Sequence, residues 1–154
     1  MVSAPAPANQ FHLFNSNTRP QMLEITVRST HIDVMGHVNN AKYVEFLEWG
    51  RCDELEKLGI DIWDMVKQKL GFAVINLNIN YRREAFVGDL LEIKTTFREI
   101  RNRKIGIIDQ VITKRGSDEI VCEAEVSFLI FNLEKHKSIS MPQELLNVFT
   151  PANP

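Results

Sequence analysis

Hydrophobic and polar residues alternate along most of the second half of the chain. The alternation covers residues 72–82, 91–98, 105–114 and 119–131, and residues 22–28 show it once near the start. A period of two is typical of a β-strand with one buried face. Strands joined by short polar tips are antiparallel neighbours. The pattern therefore predicts one antiparallel sheet of about five strands.

From residue 40 to residue 58 the hydrophobic period changes to that of an α-helix. One face of this helix collects its apolar positions, which are Tyr43, Val44, Leu47, Gly50, Leu55 and Leu58. Asn39 or Asn40 suits the N-cap of a helix of about five turns. Shorter helices are expected within residues 61–70, closed by Gly71, and after Pro142.

Two residues interrupt the apolar face of the long helix. Gly50 weakens a helix interior by about 1 kcal/mol relative to Ala, so we expect another backbone to approach closely there. Arg51 falls inside the same face and needs a partner if it is buried. The nearest acids that can pair with it are Glu48 and Glu54, each three residues away.

The order of elements predicts the fold class. One strand precedes the long helix and four strands follow it, and the apolar face of the sheet needs a cover. The long helix is the only predicted element of sufficient length. We therefore expect an α+β fold, an antiparallel sheet wrapped around one central α-helix. A single domain over residues 21–154 would follow a flexible leader, residues 1–20.

Composition excludes several classes of function. The chain has 154 residues and a formal net charge of −2, so nothing calls for a nucleic-acid partner. No apolar run approaches the roughly 18 residues of a membrane span. The two cysteines, Cys52 and Cys122, are far apart and match no metal-binding spacing. They are typical of reduced thiols in a cytoplasmic protein.

Acid–base groups concentrate in a polar turn directly ahead of the long helix. This turn contains Asp33, Gly36, His37, Asn39 and Asn40. The first turn of a helix offers unpaired N–H groups and a partial positive charge, which suit an oxygen that becomes negative during a reaction. Asp33 is equally typical of an Asx-turn, and the spacing alone does not separate the two roles. His37 suits a structural or a substrate-positioning role equally.

The turn and the helix start share one motif, Asp33-x-x-Gly36-His37-Val38-Asn39-Asn40-x-x-Tyr43. This motif resembles the signature of hotdog-fold thioesterases, in particular the 4-hydroxybenzoyl-CoA thioesterase family and related small acyl-CoA and acyl-ACP thioesterases. The resemblance implies hydrolysis of an acyl-CoA or acyl-carrier-protein thioester. By the same resemblance, Asp33 is the nucleophile or general base and the Asn40 backbone N–H polarises the thioester carbonyl.

The resemblance also implies the remaining properties of the site. His37 would assist catalysis, and Gly36, Asn39 and Tyr43 would contact the substrate. No cofactor or metal is implied, since coenzyme A is part of the substrate. A homo-oligomer is implied, either a dimer or a tetramer made of two dimers, with a site shared between subunits.

A basic segment near a predicted hairpin tip is the candidate for the phosphates of coenzyme A. Arg101, Arg103 and Lys104 lie there, and arginine suits phosphate contact. A solvated tip explains the same residues. Arg82-Arg83 and Lys114-Arg115 form smaller clusters.

Two other functions remain open at this point. A hotdog-fold hydratase or dehydratase acting on acyl-CoA also uses an Asp–His pair, usually at another spacing. An acyl-CoA-binding or assembly protein without catalysis is the alternative from a different class. Independently of function, exposed sheet edges favour association with a second copy. Phe46 and Trp49, outside the centre of the apolar face, favour it too.

Overall fold

The computed structural model describes residues 22–149. Its strands are β1 (Leu23–Thr26), β2 (Leu70–Tyr81), β3 (Leu90–Arg101), β4 (Ile105–Lys114), β5 (Ile120–Asn132) and β6 (Lys137–Ile139). Its helices are α1 (Asn40–Lys57), α2 (Ile62–Lys67) and α3 (Gln143–Phe149). The leader predicted over residues 1–20 lies outside the described residues. None of the helices in the described range is long and apolar enough to cross a membrane.

The strands form one antiparallel sheet in the order β1-β3-β4-β5-β2, with the short β6 paired to β5. The tight connections make β3, β4 and β5 neighbours, as the short tips predict. The expectation that β2 pairs with the strand after it is wrong, because β2 pairs with β5 and β3 pairs with β1. The predicted α+β architecture, an antiparallel sheet wrapped around one long helix, is confirmed.

The long helix α1 buries most of the face that its periodicity predicts, including Tyr43, Leu47 and Leu55. Val44, predicted on the same face, is 37% exposed. Phe46 is also fully buried, although the pattern placed it away from that face. Its ring packs edge-on against the rings of His31 and Tyr43 in the same chain. Phe46 therefore gives no reason to expect a second subunit.

Gly50 lies where α1 comes closest to the sheet. A Cβ atom at this position would lie 2.7 Å from Ile93 Cγ2, 3.2 Å from Gln110 Nε2 and 3.3 Å from Thr95 Oγ1. The predicted close approach exists, but the expectation of another backbone is wrong. The neighbours are side chains of the sheet in the same subunit.

Arg51 is held by an amide and not by an acid. Its Nη1 donates to Gln110 Oε1 at 2.9 Å, and Gln110 Nε2 donates to the Leu47 carbonyl and to Thr95 Oγ1, each at 2.9 Å. Within residues 22–149 no ion pair joins Arg51 to Glu48, so that expected pair is wrong. Gln110 is 1% exposed, and its hydrogen bonds satisfy the polar groups between α1 and the sheet.

The long helix is not the only cover of the sheet. Met65 of α2 and Leu145 and Phe149 of α3 pack into a second apolar cluster on the same face. The Phe149 ring stacks on Phe97 of β3 with centroids 4.2 Å apart. The sequence predicted that Gly71 closes α2. This prediction is wrong, because Gly71 already lies in β2.

A bulge changes the alternation of β2. The register with β5 shifts between Val74 and Asn76, which leaves Ile75 as the extra residue. Phe72 and Leu77 therefore both pack into the apolar core, although they are five positions apart. The uninterrupted alternation expected over residues 72–82 is wrong for this reason, and Ile75 is 50% exposed.

Candidate active site

The chain reverses tightly just before α1. The Asp33 N–H donates to the His37 carbonyl at 3.0 Å, and the Gly36 N–H donates to the Asp33 carbonyl at 3.1 Å. Ile32 and Val38 form a bridge across the base of this reversal. Gly36 has a φ of +87°, a value that side chains with a Cβ rarely adopt. Gly36 therefore lets the chain present Asp33 beside the start of the helix.

The Asp33 carboxylate has one oxygen engaged. Oδ1 accepts a hydrogen bond from the Met35 N–H at 2.9 Å, which is the Asx-turn contact that the sequence allowed. No described residue donates to Oδ2 or forms an ion pair with this carboxylate. The two roles considered for Asp33 are thus compatible, since Oδ1 makes the turn contact while Oδ2 accepts from no described residue.

The N-terminus of α1 leaves one backbone donor free. Asn39 is the N-cap, and its Oδ1 accepts from the Ala41 N–H at 2.9 Å. The Lys42 N–H donates to the Asn39 carbonyl at 2.9 Å. The Asn40 N–H donates to no atom of the described residues. It lies at the positive end of an 18-residue helix, where a partial negative charge is stabilised.

These groups line one cleft with a volume of about 500 Å³. The cleft brings together the turn, the start of α1 and the segment that follows β2. Its walls are Asp33, Met35, His37, Val38, Asn40, Tyr43, Tyr81, Arg82, Arg83 and Glu84. Three predicted catalytic residues, Asp33, His37 and Asn40, are therefore next to one cavity, and so is Tyr43. Gly36 and Asn39 shape the turn and cap the helix.

Two tyrosines form the wall nearest the helix. Tyr43 is 4% exposed, and burial raises its pKa to about 12, so its hydroxyl stays protonated near neutral pH. Tyr81 donates from its hydroxyl to the Asn40 carbonyl at 3.2 Å. The Tyr81 contact ties the end of β2 to the start of α1. The sequence showed Tyr81 only as one position of an alternating strand, so its place at the site was missed.

The cleft also has a basic margin. Arg82 pairs with Glu123, and Arg83 Nε lies 3.3 Å from Glu119 Oε1. Both arginine side chains are more than half exposed, which leaves donors available to a phosphate.

The other basic segment lies elsewhere in the subunit. Arg101, Arg103 and Lys104 form the tip between β3 and β4, at the far end of β3 from the catalytic turn. Strand β3 has 12 residues, which corresponds to a separation of roughly 35 Å along it. Arg101 pairs with Glu99 at 2.5 Å, and Arg103 Nη2 donates to Gln143 at 2.9 Å. Within one subunit this tip does not join the cleft.

The curled sheet around α1 is the architecture of the hotdog fold of thioesterases, and its cleft places a carboxylate beside a helix N-terminus. The chain belongs to the thioesterase-like superfamily, whose family model matches residues 27–149. It is similar to the long-chain acyl-CoA thioesterase FadM of Escherichia coli (strain K12), with 42% identity over 122 residues, covering 79% of this chain and 91% of FadM.

Solved structures agree with this assignment. The probable thioesterase YbaW from Escherichia coli superposes with a TM-score of 0.73 at 39% identity, covering 84% of this chain and 96% of YbaW. Slr0204, a 1,4-dihydroxy-2-naphthoyl-CoA thioesterase from Synechocystis, gives a TM-score of 0.78 at 16% identity, covering 86% of this chain and 98% of its own. The second likeness concerns the fold alone. The prediction of a thioester hydrolase is confirmed.

Proposed function

We propose that this chain hydrolyses acyl-CoA thioesters, with Asp33 as nucleophile or general base and the Asn40 N–H as the donor to the thioester carbonyl. One observation carries the proposal. The partly unpaired Asp33 carboxylate and the unpartnered Asn40 N–H line the same cleft. A substrate carbonyl that accepts from Asn40 would lie within reach of Asp33 or of a water molecule next to it.

The chemistry requires two functions from these groups. Negative charge develops on the carbonyl oxygen as the tetrahedral intermediate forms, and a preorganised N–H at a helix N-terminus stabilises it. As general base, Asp33 takes a proton from water while the oxygen of water attacks the carbonyl carbon. As nucleophile, it forms an anhydride that water then cleaves. Either route breaks the C–S bond and releases a carboxylic acid and a thiol.

His37 and Tyr43 suit supporting roles. The His37 ring lies edge-on to the Phe86 ring, with centroids 6.5 Å apart. Among the described residues, the His37 side chain forms no hydrogen bond with the Asp33 carboxylate. We assign His37 to substrate positioning or proton transfer at the cleft wall. The protonated Tyr43 hydroxyl suits a wall residue better than a base.

Coenzyme A is the preferred thiol portion of the substrate. The relation to FadM, named a long-chain acyl-CoA thioesterase, supports an acyl-CoA over a carrier protein. Arg82 and Arg83 at the margin of the cleft suit its phosphates. The sequence-based assignment to Arg101, Arg103 and Lys104 remains a prediction, and it requires that a second subunit bring its tip towards the cleft.

A second subunit is expected from the edge of the sheet. Strand β2 is the last strand on its side, and its outer backbone groups have no partner strand within residues 22–149. Val74, Ile75 and Tyr81 on this strand are 49%, 50% and 47% exposed. Pairing of two β2 strands would satisfy the edge and cover these side chains. We therefore propose a homodimer, or a tetramer built from two such dimers, with the site close to the shared edge.

The test is a thiol-release assay with a panel of acyl-CoA thioesters, followed by identification of the acyl product. We expect free thiol and free acid in equal amounts. Hydration of an enoyl-CoA without thiol release would identify a hydratase instead. Tight binding of acyl-CoA without turnover would identify a binding protein, and either result would overturn the proposed function.

A further inference from the structure

The turn ahead of α1 carries a sulfur atom that the proposed hydrolysis does not use. The Met35 side chain is 69% exposed and lines the same cleft as Asp33 and Asn40. The Met35 N–H donates to Asp33 Oδ1 at 2.9 Å, so the residue that orients the candidate carboxylate also places a thioether in the open cleft. A thioether is a group that peroxides convert to a sulfoxide, which is polar and can be reduced again.

Met35 is the most exposed of the sulfur-containing residues that the structure describes, which are Met22, Met35, Met65, Met141, Cys52 and Cys122. Met65 and Met141 are buried in the apolar core, at 0% and 2% exposure, and Met22 is half-buried. The cleft must admit the substrate, so a molecule as small as hydrogen peroxide can enter it even where a second subunit borders it. Because oxidation follows exposure, peroxide should modify Met35 before the other methionines.

The two cysteines are poor competitors for the peroxide. The thiolate is the form of cysteine that reacts. Cys52 is half-buried and Cys122 is fully buried. Burial raises the pKa of the Cys52 thiol, and it raises the pKa of the Cys122 thiol to about 12. Both thiols therefore stay almost entirely protonated near neutral pH and react slowly with peroxide.

We propose that Met35 is a site of reversible oxidation, at which hydrogen peroxide converts the thioether to a sulfoxide and thereby slows the enzyme. A lone pair of the sulfur attacks one oxygen of the peroxide. The S–O bond forms as the O–O bond breaks, and water leaves, so the sulfur loses two electrons and the peroxide gains them. Methionine sulfoxide reductases restore the thioether. The effect on the rate rests on the proposed function, whereas the modification itself does not.

The expected loss of rate follows from the hydrogen-bond donors of the cleft. The Asn40 N–H has no acceptor among the described residues and is the proposed donor to the thioester carbonyl. A sulfoxide oxygen is a strong acceptor, so on the wall of this cleft it competes with the carbonyl for that donor. Its partial negative charge also opposes the charge that develops on the carbonyl oxygen. Complete loss of such a donor costs about 10²–10³-fold in kcat, so partial competition should cost roughly tenfold.

The test treats the wild type and two variants with hydrogen peroxide. Catalase then removes the peroxide, dithiothreitol reduces any oxidised thiol, and peptide mass spectrometry locates the sulfoxides. In the wild type we expect Met35 to be oxidised before Met65 and Met141, with a roughly tenfold lower kcat/KM for an acyl-CoA. Methionine sulfoxide reductases A and B should together restore the rate. Met35→Leu, a volume-conserving replacement, should keep its own untreated rate, and the control Met22→Leu should be as sensitive as the wild type.

Three results would overturn the inference. Complete oxidation of Met35 without a change in rate would show that the sulfoxide does not affect the enzyme. A loss of rate while Met35 remains a thioether would assign the effect to another residue. Equal sensitivity of Met35→Leu and the wild type would do the same, and Met35→Ile replaces Met35→Leu if that variant does not fold.

Failure of the untreated wild type to hydrolyse any acyl-CoA would instead reject the proposed function. The inference could then be decided by calorimetry with an acyl-CoA analogue that has a methylene group in place of the thioester sulfur. Oxidation of Met35 should weaken the binding of this analogue, and unchanged binding would overturn the inference.

Discussion

Replacement of Gly50 by alanine tests how α1 is fitted to the sheet. Helix propensity alone predicts that Gly50→Ala stabilises the protein by about 1 kcal/mol. The structure predicts the opposite, because the new methyl group would lie 2.7 Å from Ile93 Cγ2, well inside the ordinary contact distance of about 3.5–4.0 Å.

The magnitude follows from the two neighbouring contacts. Overpacking of this kind typically costs about 1–3 kcal/mol. The methyl group would also lie 3.2 Å from Gln110 Nε2, which donates to the Leu47 carbonyl, and each weakened hydrogen bond costs about 1 kcal/mol. After the gain in helix propensity, we expect a net loss of about 1–3 kcal/mol in the free energy of unfolding.

Urea denaturation monitored by circular dichroism is the appropriate assay. Gly71→Ala is the matched control, since its new Cβ would meet Leu133 at ordinary distances of 3.5–4.0 Å. Adding Ile93→Leu removes the branched methyl group and should recover part of the loss in Gly50→Ala. A Gly50→Ala variant at least as stable as the wild type would refute the proposed packing of α1 on the sheet.

Three further predictions concern binding, pH and assembly. Arg83→Gln should raise KM for acyl-CoA more than it lowers kcat and should leave an acyl-pantetheine unaffected, because a phosphate contact acts equally on ground and transition states; steady-state kinetics on both substrates is the check. The pKa of His31 lies below its usual 6.5, mainly because the ring is partly buried and secondly because the positive charge of Lys42 is nearby. The unfolded chain thus binds this proton more readily, so stability should decrease as the pH falls through 6.5, and His31→Gln should reduce that dependence in denaturation curves. Sedimentation at low micromolar concentration should show a dimer or larger species, and a fully active monomer would contradict the shared edge at β2.

The fold could be predicted largely from local patterns. The alternation from Cys122 to Ile130 in β5 and the helical period in α1 each reflect one buried face, which local sequence shows directly. The bulge at Ile75 could not be predicted, since a bulge changes the period without a composition signal. The sequence did not predict the burial of Phe46. The His31 ring that covers it belongs to a segment without helical or strand periodicity.

In the candidate site, too, the sequence predicts the residues of the local motif but not those that long-range packing brings in. Asp33 and Asn40 are close in sequence, and one turn determines their relative position, so the motif was sufficient to predict their shared cleft. Tyr81 and Gln110 reach their partners only through the packing of the sheet on α1. The partners of these two contacts are separated by 41 and by 63 positions in the chain, so local spacing gives no sign of them.

The most direct test of the central claim is the rate of thiol release by Asp33→Asn. Asparagine retains the Oδ1 acceptor for the Met35 N–H, so the turn should persist, which circular dichroism can verify. Asp118→Asn, in the exposed tip before β5, is the matched control. We predict a decrease in kcat of about 10²–10⁴-fold for Asp33→Asn, the range for loss of a general acid–base group, and no change for the control. A folded Asp33→Asn variant with turnover near the wild-type rate would contradict the assignment.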